Sequence, residues 1–363
     1  MSASTNADEV HPIPLGATPH QPMISRYFPS LYTPRPSAPP TTTVDPARTT
    51  AGYTCTLPPP PQHTDLRLLF NNINSIQSWS PAVLGVTIEK YLALSPDILG
   101  LAKTQKNWTR HESTFEPIRR TANHLLGHSA TRLVTSHCPE PAIGYKIHQP
   151  GGVAQLVLRK VTGRVQNRGQ DSMGRWAWQD LRLDGTNSLV VITAYRVNPA
   201  GTAIGHTTAY MQQVRALTKA KRGGPNPNPR KMFLTDLALF LTSLRQAGKT
   251  YILMMDANTR PTSSELLGFM QDHDLTDLMQ NFLPQQRPPT YRRGQHQIDF
   301  ILGSSSLLPY ITAAYIMDFG LGPTSDHCML VVDLNMTALI AQDSLTNLDP
   351  TSPGHRQLRS TDV

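Results

Sequence analysis

The chain reads as an α/β protein of two packed mixed sheets with helices on their outer faces, a four-layer α/β/β/α sandwich with disordered N- and C-terminal tails. Two observations predict this. Short unbroken apolar runs such as Tyr251-Ile-Leu-Met-Met255 recur along the middle of the chain and stop at polar residues. A run of that length has no helical period and suits a strand buried on both faces. The runs also fall into two sets, each interrupted by stretches of helical spacing, and two sheets covered by helices are the layers such an order builds.

The 363 residues suffice for a sizeable core. A net charge of +8 and a pI near 9.5 favour a polyanionic partner, and because the excess is spread along the chain, charge alone adds only modestly to the case for nucleic acid. Three cysteines, Cys55, Cys138 and Cys328, lie far apart without a CxxC pair, which argues against a zinc site or a disulfide framework and for a reducing compartment. Residues 1–20 hold no apolar core of a secretory signal, and no apolar run reaches bilayer length. The expectation is an intracellular, nuclear protein without a membrane partner.

Residues 1–62 are rich in Pro, Ser and Thr and poor in branched aliphatics. Such a stretch buries too little apolar surface to offset its ordering entropy, so a disordered tail is expected. Inside it, Gln21-Pro-Met-Ile-Ser-Arg-Tyr-Phe28 resembles the sliding-clamp-binding peptide called a PIP box. The resemblance implies a sliding clamp as partner, contacted by Gln21, Ile24, Tyr27 and Phe28.

From His63 the composition is globular, and one domain is expected over residues 63–335. Leu66–Phe70 reads as a strand, Ala82–Leu94 as an amphipathic helix and Asp97–Leu101 as a buried strand after Pro96. A turn at Gly151-Gly152 leads into a strand over Val153–Leu158, and Lys160–Arg175, rich in Gly, Arg and Lys, reads as a loop. Strands over Trp176–Leu183 and Ser188–Thr193 meet at an Asp184-Gly185 hairpin turn. Two helices follow, His206–Ala220 and Lys231–Gln246, joined by an exposed basic loop, Lys219–Arg230. In the second helix Phe233, Leu237, Phe240, Leu241 and Leu244 share a face, and Gly248 is placed to end it. The Tyr251 strand precedes a helix over Ser264–Asp272 with Ser263 as its cap. Ile298–Leu302, Ile311–Met317 and Met329–Leu334 complete the strands, and from Met336 a polar tail is expected over residues 336–363.

Five strand ends carry polar groups that burial does not require: Asn72-Ile-Asn74, Tyr195-Arg196, Asp256-Ala-Asn258, Asp299 and Ser325-Asp-His327. Two positions apart on a strand, Asp256 and Asn258 point the same way. A carboxylate only accepts hydrogen bonds while an amide also donates, a combination that holds a water well. Carboxylates and amides suit a hard divalent cation. A carboxylate such as Asp299 on one ring nitrogen of His327 would orient the other. Tyr and Arg suit phosphate.

In order and context these segments resemble the endonuclease/exonuclease/phosphatase superfamily, which has a DNase I-like fold. The flavour is that of exonuclease III, apurinic endonucleases and LINE-type retrotransposon endonuclease domains. The segments are Asn72-Ile-Asn-Ser-Ile76, Thr193-Ala-Tyr-Arg-Val-Asn198, Met255-Asp-Ala-Asn258, Gln297-Ile-Asp-Phe-Ile301 and Thr324-Ser-Asp-His327. The resemblance implies a phosphodiester hydrolase that uses Mg²⁺ or Mn²⁺ on nucleic acid, DNA favoured. It implies that Asp256 orients or deprotonates water, with Asn258 holding the water or a phosphate oxygen. It implies further that His327, paired with Asp299, stabilises the transition state and that Tyr195 contacts the scissile phosphate. Asn72 and Asp326 would position the metal, with Asn74 nearby, and Arg196 and Arg260 would contact phosphate.

One position departs from the family. Asp97-Ile-Leu-Gly-Leu-Ala-Lys-Thr104 has Lys103 where the resemblance implies a metal-binding Glu. A charged ammonium has donors only and is no ligand. The alternative expectation is therefore a catalytically disabled nucleic-acid-binding relative, with Lys103 as a built-in cation among the carboxylates. The superfamily also implies a phosphatase or a lipid phosphodiesterase as a further alternative.

Overall fold

A computed structural model of the chain describes residues 11–13, 50–54, 57–76, 81–108, 118, 120–124, 126, 131–141, 149–185, 187–199, 205–283 and 287–346. In order its elements are β1 (His11–Ile13), β2 (Thr50–Thr54), β3 (Asp65–Asn72), α1 (Pro81–Ala93), β4 (Ile98–Ala102), β5 (Arg132–Ser136) and β6 (Val153–Val157). Then come β7 (Val165–Asp171), β8 (Trp176–Asp184), β9 (Asn187–Tyr195), α2 (Ala209–Lys219), α3 (Pro229–Gln246), β10 (Thr250–Asp256) and α4 (Ser264–Asp272). The last are β11 (Leu275–Asp277), β12 (Asp299–Ser304), β13 (Ile311–Met317), β14 (Met329–Asn335) and α5 (Met336–Thr346).

The strands form two mixed sheets, one ordered β1-β7-β8-β9-β10-β12-β11 and the other β2-β13-β14-β3-β4-β6-β5. Strand alternation assigns each side chain to a layer. Leu66, Leu68 and Phe70 of β3 meet Ile252 and Met254 of β10, Ile301 of β12 and Val191 of β9 between the sheets. Leu69 faces outward onto Leu84, Ile88 and Tyr91 of α1. On the other sheet Leu253 and Met255 face Phe233, Leu237 and Phe240 of α3 and Leu266 and Phe269 of α4. This is the expected four-layer sandwich. Gly100 lets the sheets close together near the ends of these strands, since a Cβ there would lie 2.6 Å from Met254 Cε and 2.7 Å from Thr193 Oγ1. Among the described residues no helix is long and apolar enough to cross a membrane.

Local chemistry fixes the helix starts. The Thr208 hydroxyl accepts from Met211 N at 3.3 Å, so α2 begins later than His206. Asn228 Oδ1 accepts from Arg230 N and Lys231 N at 3.0 and 3.1 Å, with Pro229 in the first turn of α3. Ser263 stands at the start of α4 without a capping hydrogen bond from its side chain.

One sequence expectation needs correction, and the structure adds elements that the sequence reading did not contain. Lys160–Arg175 is not a loop: a 3₁₀ helix over Arg159–Arg164 leads into β7, antiparallel to β8. Most β7 residues are only half-buried or exposed, and a strand near a sheet edge carries the polar side chains that mimic a loop. The polar N-terminal stretch supplies β1, parallel to β7, and β2, parallel to β13. β5 and the three-residue β11 were not placed by the sequence reading. α5 begins at Met336, and Met336 and Leu339 enter the inter-sheet core. Gln21–Phe28, the clamp-like peptide, lies outside the described residues.

Candidate active site

Sheet register assembles the site. β9 and β10 run parallel with Tyr195 opposite Asp256, while β10 and β12 run antiparallel with Asp256 opposite Asp299. Three of the sequence-predicted residues therefore sit side by side in one row across one sheet. Each continues the inward-facing series of its strand, after Val191, Met254 and before Ile301, at the point where the apolar layer ends. Asn72 does the same for β3 in the other sheet, following Leu66, Leu68 and Phe70. Two strand periods of 2 thus aim four polar side chains at one end of the inter-sheet space.

The contacts are close. Asn72 Nδ2 donates to Asp256 Oδ2 at 2.7 Å. Asn258 donates from its backbone to Asp256 Oδ1 at 2.9 Å and from Nδ2 to Oδ2 at 3.2 Å. Asn258 takes φ of +46°, a conformation Asn tolerates better than most residues. His327 Nδ1 lies 2.9 Å from Asp299 Oδ2, and its Nε2 lies 3.2 Å from Asn72 Nδ2. With Nδ1–H donated to Asp299, Nε2 accepts the second amide hydrogen of Asn72 only while the ring is neutral; once protonated, Nε2 is itself a donor. Asn74 N donates to Asn72 Oδ1 at 3.0 Å, and Asn74 Nδ2 donates to Asp326 Oδ2 at 3.1 Å. One hydrogen-bonded network joins Asn258, Asp256, Asn72, His327 and Asp299, and Asn74 extends it to Asp326.

Burial tunes these groups. Desolvation, then the Asp299 charge, pushes the Asp256 carboxyl up to about 7. Burial pulls His327 down, but Asp299, with Asp256 and Asp326 behind it, reverses the sign and raises it to about 9. Burial and then Asp256 push the Tyr195 phenol well above its ordinary range, so it stays protonated.

The network rests on Ser325, named with the last motif, and on Asn71, Tyr91 and Tyr291, which the sequence reading did not single out. Asn71, on the opposite face of β3 from Asn72, donates to the carbonyls of His327 and Cys328 at 3.4 and 3.3 Å and accepts from the Tyr91 hydroxyl at 2.8 Å. Ser325 Oγ accepts from His327 N at 3.0 Å and donates to Asn72 O. The Tyr291 ring lies 5.0 Å from the His327 ring, and the two residues form an isolated antiparallel bridge. Tyr91 reads as helix core and Tyr291 as part of an aperiodic polar loop, so neither carried a sequence signal.

Two basic positions, Arg196 and Lys103, differ from expectation. Arg196 is fully buried and its guanidinium faces Glu265 at 2.6 Å without hydrogen-bond alignment, so it does not line the site. Its backbone N–H instead donates to Asp256 O at 2.9 Å. Arg230 holds the neighbouring position: it donates to the carbonyls of Val197 and Asn258, and burial followed by Arg196 lowers it to about 10. Arg260 is exposed, two residues beyond Asn258. Lys103 is half-buried with φ of +53° at the end of β4, where Thr104 N and Gln105 N donate to the carbonyls of Gly152 and Gly151. Among the described residues it forms no ion pair with Asp256, Asp299 or Asp326, so it does not tie the carboxylates together as expected. His327 pairs with Asp299 instead, and the amides of Asn72 and Asn258 donate to Asp256.

No protein-family model matches the sequence, and no curated protein matches it. Solved structures do. The AP endonuclease LMAP from Leishmania major superposes with a TM-score of 0.51 at 14% identity, over 74% of this chain and 87% of that one. The catalytic domain of APE2 from Xenopus laevis gives 0.50 at 16% identity, over 74% and 92%. The likeness to these two proteins is one of fold alone.

Proposed function

We propose that the chain is a divalent-metal-dependent phosphodiester hydrolase acting on nucleic acid. The observation that carries this is the convergence of Asp256, Asn258, Asn72 and the Asp299–His327 pair at one end of the sandwich. In-line attack on phosphorus needs a positioned water and positioned charge more than covalent chemistry. Asp256, with a carboxyl near 7, orients the water and takes up its proton at neutral pH. Asn258 holds the water beside it. An entering phosphate oxygen takes the place of the Asn72 amide at His327 Nε2, so the protonated ring donates to developing negative charge while Asp299 keeps it aligned. The Tyr195 phenol donates to the same phosphate.

The donor set fits a hard divalent cation. Asp299 Oδ1 and Asp326 Oδ1 are buried oxygens without a hydrogen-bond partner, and Asp256, Asp299 and His327 bring ligand atoms within 4.8 Å of one another. Asn72, Asp326 and the Asp256/Asp299 pair would hold Mg²⁺ or Mn²⁺, which when bound polarises a phosphoryl oxygen and offsets its charge. Lys103 adds no ligand.

Exposed cations flank the network, with Lys231 and Arg260 on the Asn258 side and Arg292 and Arg293 next to Tyr291. Charge spread along a rim supports a polyanionic strand over a lone phosphate group. The motif order supports a retroelement-type endonuclease or its derivative acting on DNA in the nucleus. A second reading, a catalytically disabled nucleic-acid-binding relative, is favoured by Lys103 directly after β4, where the motif resemblance implies a metal-binding Glu. Hydrolysis of bis(p-nitrophenyl) phosphate against p-nitrophenyl phosphate, with Mn²⁺, separates the chemistries. The proposal expects the diester to be cleaved and duplex DNA to inhibit. Preference for the monoester would favour a phosphatase.

A further inference from the structure

The Asp299–His327 pair is made by two strand ends that do not hydrogen-bond to each other as a ladder, because β12 and β14 belong to different sheets. One residue outside both strands joins them. Thr290 is fully buried. Its hydroxyl oxygen accepts from Ile298 N at 3.0 Å and Asp299 N at 3.1 Å, and its carbonyl accepts from Cys328 N at 2.8 Å. The adjacent Tyr291 forms the bridge and ring contact with His327. β11 pairs with β12 only from Leu302 onward, so the start of β12 has no neighbouring strand on that side, and the Thr290 hydroxyl supplies the missing acceptor. Gln297 Nε2 closes the same corner by donating to Asp299 O at 3.0 Å.

We propose that Thr290 is a positioning residue: its hydroxyl fixes the backbone of Asp299 while its carbonyl fixes the strand that carries His327, and so sets the carboxylate–imidazole distance. It touches neither substrate nor the imidazole itself. A valine there keeps the shape and loses the acceptor, leaving two buried N–H groups unpaired. A serine keeps the acceptor and loses only the methyl group.

The role of the pair in catalysis rests on the phosphodiesterase proposal, whereas the geometry of the pair does not. The test therefore has two readouts on the full chain: the proton resonance of His327 Nδ1–H, and kcat and KM for plasmid nicking with Mn²⁺. Thr290→Val is expected to shift that resonance upfield and to lower kcat by about 10- to 100-fold with KM unchanged, the usual cost of losing a group that orients a site residue. Thr290→Ser is expected to match the unmodified protein in both, and that arm stands whether or not the valine variant folds. A serine variant that loses the resonance, or a valine variant that keeps both, would overturn the inference. A resonance shift in Thr290→Val, with no nicking by the unmodified protein, would sustain Thr290 as a positioning residue and sink the phosphodiesterase reading instead.

Discussion

His327 Nδ1 lies 2.9 Å from Asp299 Oδ2, in a pair whose side chains are 5% and 1% exposed. At that burial the carboxylate dictates both the tautomer and the charge of the ring. Asp299→Asn is expected to lower kcat by about 10²- to 10⁴-fold with little change in KM, the range for a positioned proton donor. Asp299→Asn combined with His327→Gln should be no worse than the poorer single variant, because the two act as a unit. Additive losses in steady-state kinetics would mean that the pair is not one device.

Asp256 is costly to bury. Its folded pKa, about 7, lies above the unfolded carboxylate value, so its contribution to stability is fully present below the unfolded pKa and is lost as pH rises towards 7. Melting temperatures measured in EDTA from pH 4 to pH 8 should fall more steeply for the unmodified protein than for Asp256→Asn. The asparagine variant should be the more stable of the two near pH 8 and inactive. Parallel curves would show that the carboxyl is not strained by burial.

The sequence made the row of Tyr195, Asp256 and Asp299 legible because each ends or starts an apolar run, and alternation fixes which way a strand residue points. It also led to the four layers, through the two sets of runs. What it hid has physical reasons. β7 is polar on both sides because it lies towards a sheet edge. Arg196 reads as a phosphate ligand because a strand-end arginine is usually exposed, whereas here α4 supplies Glu265 to bury it. Thr290 and Tyr291 act from a loop with no period, where only the tertiary hydrogen bonds reveal a role.

Lys103 offers a gain-of-affinity experiment. Lys103→Glu replaces donors with an oxygen ligand at the end of β4, the position where the sequence motif implies one. Calorimetric titration with Mn²⁺ should show binding about 10-fold tighter or more than in the unmodified protein, in line with the weight of one ligand or its supporting group. Unchanged affinity would place the cation away from β4.

Arg292 and Arg293 are exposed, and Arg292 N donates to Asp326 O at 2.8 Å, which sets this loop beside the network. Replacing both with Gln should weaken duplex binding. The slope of log affinity against log salt should become shallower by about 1.8, roughly 0.9 for each phosphate that is no longer neutralised. A slope unchanged within error would put the nucleic acid elsewhere on the surface.

Nicking of supercoiled plasmid in Mg²⁺ or Mn²⁺ bears most directly on the central claim, comparing the unmodified protein with Asp256→Ala and with Lys103→Glu. The account predicts that the unmodified protein cuts, that Asp256→Ala does not, and that Lys103→Glu cuts at least as fast. Plasmid left intact by the unmodified protein but cut by Lys103→Glu would contradict it and identify the chain as a disabled, nucleic-acid-binding relative.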